Sequence, residues 1–149
     1  MIGRIIEKDR RIIEGLLSSF PEEVRPNLVL ELEQALGSVV EGYVFSRDDN
    51  VSGYMVLRLW GGVYHLDTLV VDNNQQGNGV GKSLVEFAKN RCIDRKIPQL
   101  NTCTFYPENI KFYEKVGFTV IGSLEGPFIP LNVKRTYLKW KNPLLSLER

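Results

Sequence analysis

The sequence has few cysteines, almost no net charge and no long apolar run. Its two thiols, Cys92 and Cys103, are too few for a disulfide framework, and the ten residues between them match no CxxC-type zinc or redox spacing. We expect both to be reduced core thiols in a protein without a metal site. No apolar run approaches the roughly 18 residues of a membrane span, and charged residues interrupt the N-terminal segment where a signal peptide would be apolar. These absences predict a cytoplasmic protein with no membrane partner.

The charged residues that are present nearly balance. Nineteen Lys and Arg residues stand against eighteen Asp and Glu residues, which gives a formal net charge of +1. Because so small a charge creates no general attraction to nucleic acid, we expect no nucleic-acid partner. The length of 149 residues and the ordinary composition, 43% hydrophobic and 25% charged, predict a single globular domain over 1–149.

The spacing of apolar residues predicts a mixed α/β fold of the α+β class, in the order β-α-α-β-β-β-α-β-α-β-β. Gly37 is placed to end the second helix, and Asp48, Asp49 and Asn50 predict a hairpin turn in an antiparallel meander. The predicted strands are 3–6, 38–47, 52–60, 63–71, 99–105, 119–124 and 133–140. The first two helices carry Ile12, Ile13, Leu16, Leu17 and Phe20, and then, after Pro26, Leu28, Leu32, Ala35 and Leu36. The later helices span about 79–95 and about 108–116.

One strand, a crossover helix and a further strand imply a parallel pair, formed by 63–71 and 99–105, in an otherwise antiparallel sheet. Ligands tend to bind beside the carboxyl ends of such strands. We therefore expect the functional site there, and the link that starts at Glu125 and contains Gly126, Pro127 and Pro130 is a candidate rim for it.

A glycine-rich turn joins strand 63–71 to the helix that follows. Glycines let backbone amides approach a ligand closely, and a helix N-terminus favours an anion, so the turn predicts a phosphate site. A Walker A loop would need glycine where Gln76 stands, and the third glycine of a GxGxxG dinucleotide motif would fall on Lys82 or Leu84. A helix start without any ligand would show the same residues. The turn reads Gln76-Gly77-Asn78-Gly79-Val80-Gly81-Lys82-Ser83.

The spacing of Gln76, Gly79 and Gly81 resembles the pyrophosphate-binding signature of the GCN5-related N-acetyltransferases (GNAT): Arg or Gln, two residues, Gly, one residue, Gly or Ala. A second motif is similar to a later motif of the same family, with Asn109, three residues, Tyr113, three residues and Gly117-Phe118. The resemblance covers about 38–140 and is weakest over 1–37, the region that shapes the acceptor site in that family.

The resemblance implies a GNAT-like fold, with helices on both faces of the sheet and the parallel strands splayed around the cofactor. It implies an N-acetyltransferase that transfers the acetyl group of acetyl-CoA directly to a primary amine of a small molecule or peptide, as a monomer or homodimer. Tyr113 would lie near the thioester sulfur and protonate the departing thiolate. The expected cofactor-binding residues are Leu69, Val70, Val71, Gln76, Gly77, Asn78, Gly79, Val80, Gly81, Lys82, Ser83 and Asn109.

Two polar residues of strand 63–71 are candidates for the catalytic base. His65 and Asp67 lie two residues apart, so their side chains point to the same face. His65, with a reference pKa of about 6.5, suits a base at neutral pH. Asp67 would need a raised pKa, an ordered water, or a role in orienting the acceptor's ammonium group. Bases or water-holding residues occur at both positions in the family, and a structural polar pair is the alternative.

Two other functions remain open at this point. One is an acyl-CoA-binding regulatory module with little catalysis, although such a module has no need to retain Tyr113, His65 and Asp67 together. The other is an ATP-using P-loop protein, which Gln76 disfavours.

Overall fold

The computed structural model describes residues 1–125 and 134–145. Its elements follow the predicted order, with two additional short 3-10 helices at Glu7–Asp9 and Asn73–Gln75. The mixed α/β class is therefore confirmed. The strands are β1 Ile2–Arg4, β2 Glu41–Arg47, β3 Asn50–Trp60, β4 Val63–Val71, β5 Gln99–Thr104, β6 Thr119–Leu124 and β7 Arg135–Lys141. The helices are α1 Arg10–Leu17, α2 Arg25–Leu36, α3 Val80–Arg95 and α4 Pro107–Lys115.

The seven strands form one mixed sheet in the order β1-β2-β3-β4-β5-β7-β6. The predicted parallel pair is present, with Tyr64–Leu66 of β4 in register with Leu100–Thr102 of β5. The final strand begins at Arg135, and Val133, the first residue predicted for it, lies outside the described residues. The candidate rim also lies outside them beyond Glu125.

The junction between α2 and β2 corrects one predicted boundary. β2 begins at Glu41 rather than at Ser38. Gly37 does end α2, but Ser38 is the residue with positive φ, at 59°. The amides of Val39 and Val40 donate back to the carbonyl of Gln34, at 2.8 and 3.4 Å, so they cannot join the strand ladder.

The hairpin between β2 and β3 is tighter than predicted. Asp48 and Asp49 both have positive φ, 53° and 64°, as a two-residue type I′ turn requires. Asn50 consequently pairs with Arg47 as the first residue of β3. The same sterically demanding backbone conformation explains why short polar residues occupy the turn.

The chain divides into two compact units, and the single domain predicted over 1–149 stays a prediction. The first unit comprises Met1–Arg58 and Asp67–Leu84. Its core contains Ile13, Leu17, Leu32, Tyr54 and Val56. Ile12, one of the apolar residues at helical spacing in α1, is 50% exposed, because burial of the face with Ile13 and Leu17 turns it outward.

Glycines allow helices to pack closely on both faces of the sheet in the first unit. A Cβ at Gly42 would lie 2.8 Å from the Ala35 Cβ of α2, and a Cβ at Gly53 would lie 2.7 Å from the Val80 Cγ1 of α3. Tyr54, the residue after Gly53, packs on the opposite face with residues of α1 and α2. The expectation of helices on both faces is therefore confirmed.

The second unit comprises Leu59–Leu66 and Val85–Arg149. Cys92 on α3 is fully buried, as predicted, and its carbonyl accepts a hydrogen bond from Asn142 Nδ2 at 3.4 Å. The prediction that Cys103 is a core thiol is wrong. Side chains along β5 alternate between its two faces, so Thr102 and Thr104 are buried and Cys103 between them is exposed.

Candidate active site

The glycine-rich turn is anchored to β3 and open on its outer side. The amide of Asp72 donates to the Ser52 carbonyl at 2.8 Å, and the Asp72 carboxylate accepts from the Asn74 amide at 3.0 Å. Gly77 and Gly79 have φ of 88° and 80°, and a Cβ at either position would meet no heavy atom within 4 Å. Glycine is therefore required here by backbone conformation, and space remains for a ligand to approach the amides.

Helix α3 begins with backbone amides that are available to an anion. Ser83 is the first residue of this helix whose amide donates a hydrogen bond to a preceding carbonyl, that of Gly79, at 2.9 Å. The amides of Val80, Gly81 and Lys82 precede it and have no acceptor within the helix. The first turn contains no acidic residue, and the Lys82 side chain is exposed. This arrangement fits a phosphate or pyrophosphate group.

Several side chains of the turn have structural roles. Gln76 Nε2 donates to Asn73 Oδ1 at 3.1 Å, and Asn78 Nδ2 donates to Gln75 Oε1 at 3.2 Å. Val80 is 1% exposed, so only its backbone can reach a ligand. The expected cofactor contacts in this turn therefore fall on the main chain, with Lys82 as the exposed cation.

The end of β4 likewise offers its backbone. The Val70 side chain is buried in the core of the first unit, whereas the side chains of Leu69 and Val71 are half-buried. Backbone amides are suitable donors for a carbonyl oxygen that gains negative charge during acyl transfer. These three residues thus fit the predicted contact to the acetyl carbonyl.

The two candidate bases have different surroundings. Asp67 accepts a hydrogen bond from Arg58 Nε at 2.7 Å, in a partly exposed ion pair. His65 is half-buried, with its ring centroid 6.0 Å from that of Trp60. Its Nε2 is buried and has no hydrogen-bond partner among the described residues. The Asp67 carboxylate is thus paired with the Arg58 guanidinium group, whereas the His65 Nε2 has no hydrogen-bond partner among the described residues.

A polar cluster of Glu31, Tyr54 and Thr68 also lies in the first unit, and we call it the Glu31 cluster. The Glu31 carboxylate of α2 accepts a hydrogen bond from Thr68 Oγ1 of β4. Burial raises the pKa of Glu31 to about 7, the Thr68 hydroxyl opposes the rise, and the Asp67 and Arg58 charges act in opposite directions. Sequence reasoning missed Glu31, although it lies four residues before Ala35 and so on the face that packs against the sheet.

Tyr113 lies in the second unit with its side chain buried. Its ring packs edge-to-face against Phe118 at 5.3 Å. Burial raises the pKa of Tyr113 to about 12, although a hydrogen bond with Thr102 opposes the rise, and Cys103 adds to it. Thr102 Oγ1 in turn donates to the Leu66 carbonyl at 3.0 Å. The phenol is therefore neutral at physiological pH and can donate a proton.

Asn109 lies in the first turn of α4, in the same unit. Its Nδ2 donates to Thr104 Oγ1 at 3.2 Å, and the same oxygen accepts from the Tyr106 amide at 3.1 Å. The Thr104 hydroxyl thus accepts two hydrogen bonds at the start of α4 and holds this end of the helix in place. The Asn109 side-chain carbonyl is not used in this contact and can accept from a cofactor arm.

The described residues contain neither a candidate metal-binding cluster nor a candidate membrane-spanning helix. Across 1–125 and 134–145, no three His, Cys, Asp or Glu side chains are grouped in a way that could hold a metal ion. No helix in that part of the chain has both the length and the apolar character needed to cross a membrane.

Comparison with known proteins identifies the family. The family model of the acetyltransferase (GNAT) domain matches residues 39–120, which is more than half of the chain. The chain belongs to the GNAT acetyltransferase family. A comparison of the sequence with curated proteins gave no match. The matched range contains both the glycine-rich turn and Tyr113, so the resemblance carried by those two motifs is confirmed.

Solved structures of this family show the same fold. A GNAT-family protein from Desulfovibrio desulfuricans has a TM-score of 0.82 at 19% identity, over 95% of this chain and 98% of that chain. The ribosomal-protein-S18-alanine N-acetyltransferase from Escherichia coli has a TM-score of 0.80 at 14% identity, over 100% and 97%. A GNAT acetyltransferase from Elizabethkingia anophelis, with acetyl-CoA bound, has a TM-score of 0.66 at 18% identity, over 74% and 82%. The predicted GNAT-like fold is confirmed.

The half-buried Glu31 carboxyl should make stability depend on pH. Because its pKa is about 7 when folded and 4.5 ordinarily, the folded state binds the proton more tightly than the unfolded chain between these values. Relative to Glu31→Gln, the unaltered protein should lose up to about 3 kcal/mol of unfolding free energy as pH rises through this window. Urea unfolding at about pH 5 and about pH 8 measures the difference.

The exposed Glu33 on the same helix supplies the control. Glu33, which pairs with Arg10, lies outside the Glu31 cluster, so Glu33→Gln should leave the effect of Glu31 on the pH dependence in place. Identical pH slopes for the unaltered protein and Glu31→Gln would contradict the raised pKa of Glu31.

Proposed function

We propose that the chain is an N-acetyltransferase that transfers the acetyl group of acetyl-CoA to a primary amine of a small molecule or peptide. The open glycine turn and free amides at the start of α3 carry the proposal. They suit a pyrophosphate in a family one of whose members, from Elizabethkingia anophelis, was solved with acetyl-CoA bound. A cytoplasmic protein that acts as a monomer or homodimer, without a nucleic-acid partner, remains part of the proposal.

The residues that would hold acetyl-CoA fit its chemistry. The turn at 77–82 offers amides to the pyrophosphate, Lys82 offers a positive charge, and Asn109 offers a polar contact to the pantetheine arm. The amides of 69–71 would stabilise the carbonyl oxygen as it gains charge. When bound, acetyl-CoA supplies an acetyl group activated as a thioester.

Direct transfer in a ternary complex requires that one proton is removed from the acceptor amine and that another is donated to the departing thiolate. An alkylamine with a pKa of about 10.4 is almost wholly protonated at neutral pH, so a base speeds the attack. His65 and Asp67 are the bases that the sequence predicts, and His65 has the buried Nε2 without a partner. The neutral Tyr113 would donate a proton to the departing thiolate.

An amine acceptor suits the charges in the first unit. Arg58 pairs with Asp67 on β4, whereas the Glu31 carboxylate on α2 would give a cationic amine a favourable field. The similar structure from Escherichia coli is a ribosomal-protein-S18-alanine N-acetyltransferase, which supports the amine of a protein or peptide as one acceptor class.

Binding of acetyl-CoA should stabilise the protein. A ligand at 100 times its dissociation constant adds about 2.7 kcal/mol to the unfolding free energy. Thermal unfolding with acetyl-CoA, desulfo-CoA and Mg-ATP in parallel measures this, and only the two CoA compounds should stabilise. Stabilisation by Mg-ATP, or by none of the three, would contradict the proposal. Stabilisation by CoA compounds without thiol release in the presence of any amine would favour the regulatory module.

Replacement of Tyr113 by Phe should slow catalysis without weakening cofactor binding. The loss of the phenolic proton should lower kcat by about 100-fold or more, whereas the ring still packs against Phe118. Thiol release gives kcat, and acetyl-CoA titration gives the affinity. Tyr106→Phe, at the exposed start of α4, is the control and should leave kcat unchanged. An unchanged kcat in Tyr113→Phe would remove the proton-donor role.

A further inference from the structure

The Glu31 cluster brings a carboxylate of α2 next to the strand segment expected to hold the acetyl group. Thr68 is buried in β4, and its hydroxyl donates to Glu31. The next residues of that strand, 69–71, are the ones whose amides fit the acetyl carbonyl. Glu31 is therefore fixed, through one hydrogen bond, to the residue that directly precedes this segment.

The Tyr54 hydroxyl is a second, independent observation that indicates a ligand at the Glu31 cluster. Its side chain is fully buried on β3, and its hydroxyl has no hydrogen-bond partner among the described residues. The hydroxyl lies close enough to Glu31 for the carboxylate to add to the effect of burial, which raises the pKa of Tyr54. Buried polar atoms are almost always paired, so this hydroxyl requires an explanation.

Among the described residues, no cation forms an ion pair with the Glu31 carboxylate. From β3 it faces Arg58 and Tyr54, and from β4 it faces Thr68 and Asp67. The Arg58 guanidinium donates to Asp67 at 2.7 Å, and no described cation lies within ion-pair distance of Glu31. An ammonium group supplies the missing charge, and it has three N–H donors for the Glu31 and Tyr54 oxygens.

We propose that Glu31 is the carboxylate that binds the acceptor's ammonium group and accepts its proton, an assignment that rests on the proposed acetyl transfer. Tyr54 supplies a second acceptor for the same group, and Thr68 holds the carboxylate in place. Burial brings the pKa of Glu31 to about 7, so the residue exchanges a proton readily at neutral pH. Asp67, paired with Arg58, is then an orienting charge rather than the base.

The proton balance of the reaction is complete. Glu31 takes one proton from the ammonium group and later returns it to solvent. The freed nitrogen lone pair forms the C–N bond at the carbonyl carbon, and the C–S bond breaks. The nitrogen then loses its second proton to solvent, while the sulfur leaves as a thiol with a proton from Tyr113, which is restored from solvent, so that the whole reaction releases one proton.

Two primary amines of similar size and different basicity test the assignment. Propylamine is protonated at neutral pH, whereas the fluorine atoms of 2,2,2-trifluoroethylamine leave it largely unprotonated. Thiol release with each amine is measured for the unaltered protein and for Glu31→Gln, whose amide oxygen can still accept from Thr68. Glu33→Gln on the exposed side of α2 is the matched control.

We expect Glu31→Gln to lower kcat/KM for propylamine by about 100-fold or more. The loss for trifluoroethylamine should stay within about 5-fold, because that amine arrives without the proton. Glu33→Gln should alter neither, and stabilisation by acetyl-CoA should be the same in all three proteins. Equal losses for both amines, or no loss for either, would overturn the role of Glu31. No transfer by the unaltered protein to either amine would contradict the amine transfer itself, and the assignment with it.

Discussion

Unpaired backbone amides at the start of α3 are the constraint on which this account depends. The amides of 80–82 precede the first hydrogen bond of the helix, which closes from Ser83 to Gly79. The positive φ of Gly77 and Gly79 presents them on an open surface, and the Asp72 contacts hold the turn against β3. The diphosphate of a ligand gains from this geometry, and the contacts of its other parts decide which diphosphate compound binds. The acyl chemistry has to be supplied by residues elsewhere.

Burial raises the pKa of two of those residues, with a different consequence for each. In the second unit, burial keeps Tyr113 neutral, with a pKa of about 12, which suits a proton donor. In the first unit, burial brings the Glu31 carboxyl to about 7, which suits a proton acceptor. The same physical cause, the cost of a charge away from water, thus raises both pKa values. Stability is lost at Glu31 when it ionises, as is common where a charged group serves function.

The sequence predicted the element order, the parallel pair and the two family motifs, because these depend on local periodicity and on residues at fixed spacing. The sequence did not predict that Glu31 contacts β4. The apolar face of α2 shows which side of the helix is buried, but not which strand that side packs against. Ser38 falls in a predicted strand because a run rich in Val, Tyr and Phe follows it, whereas its left-handed backbone conformation depends on how α2 ends. Cys103 is predicted in the core because free cysteines are usually buried, and the sequence does not show which alternate positions of β5 are exposed.

A titration with acetyl-CoA, followed by the backbone amide resonances of the protein, tests directly whether the start of α3 binds the pyrophosphate. The amides of Gly79, Val80, Gly81 and Lys82 should shift together and saturate with a single dissociation constant. Desulfo-CoA, which carries the same pyrophosphate, should produce the same shifts there. Shifts confined to other parts of the chain, with these four amides unchanged at saturation, would show that the pyrophosphate binds elsewhere.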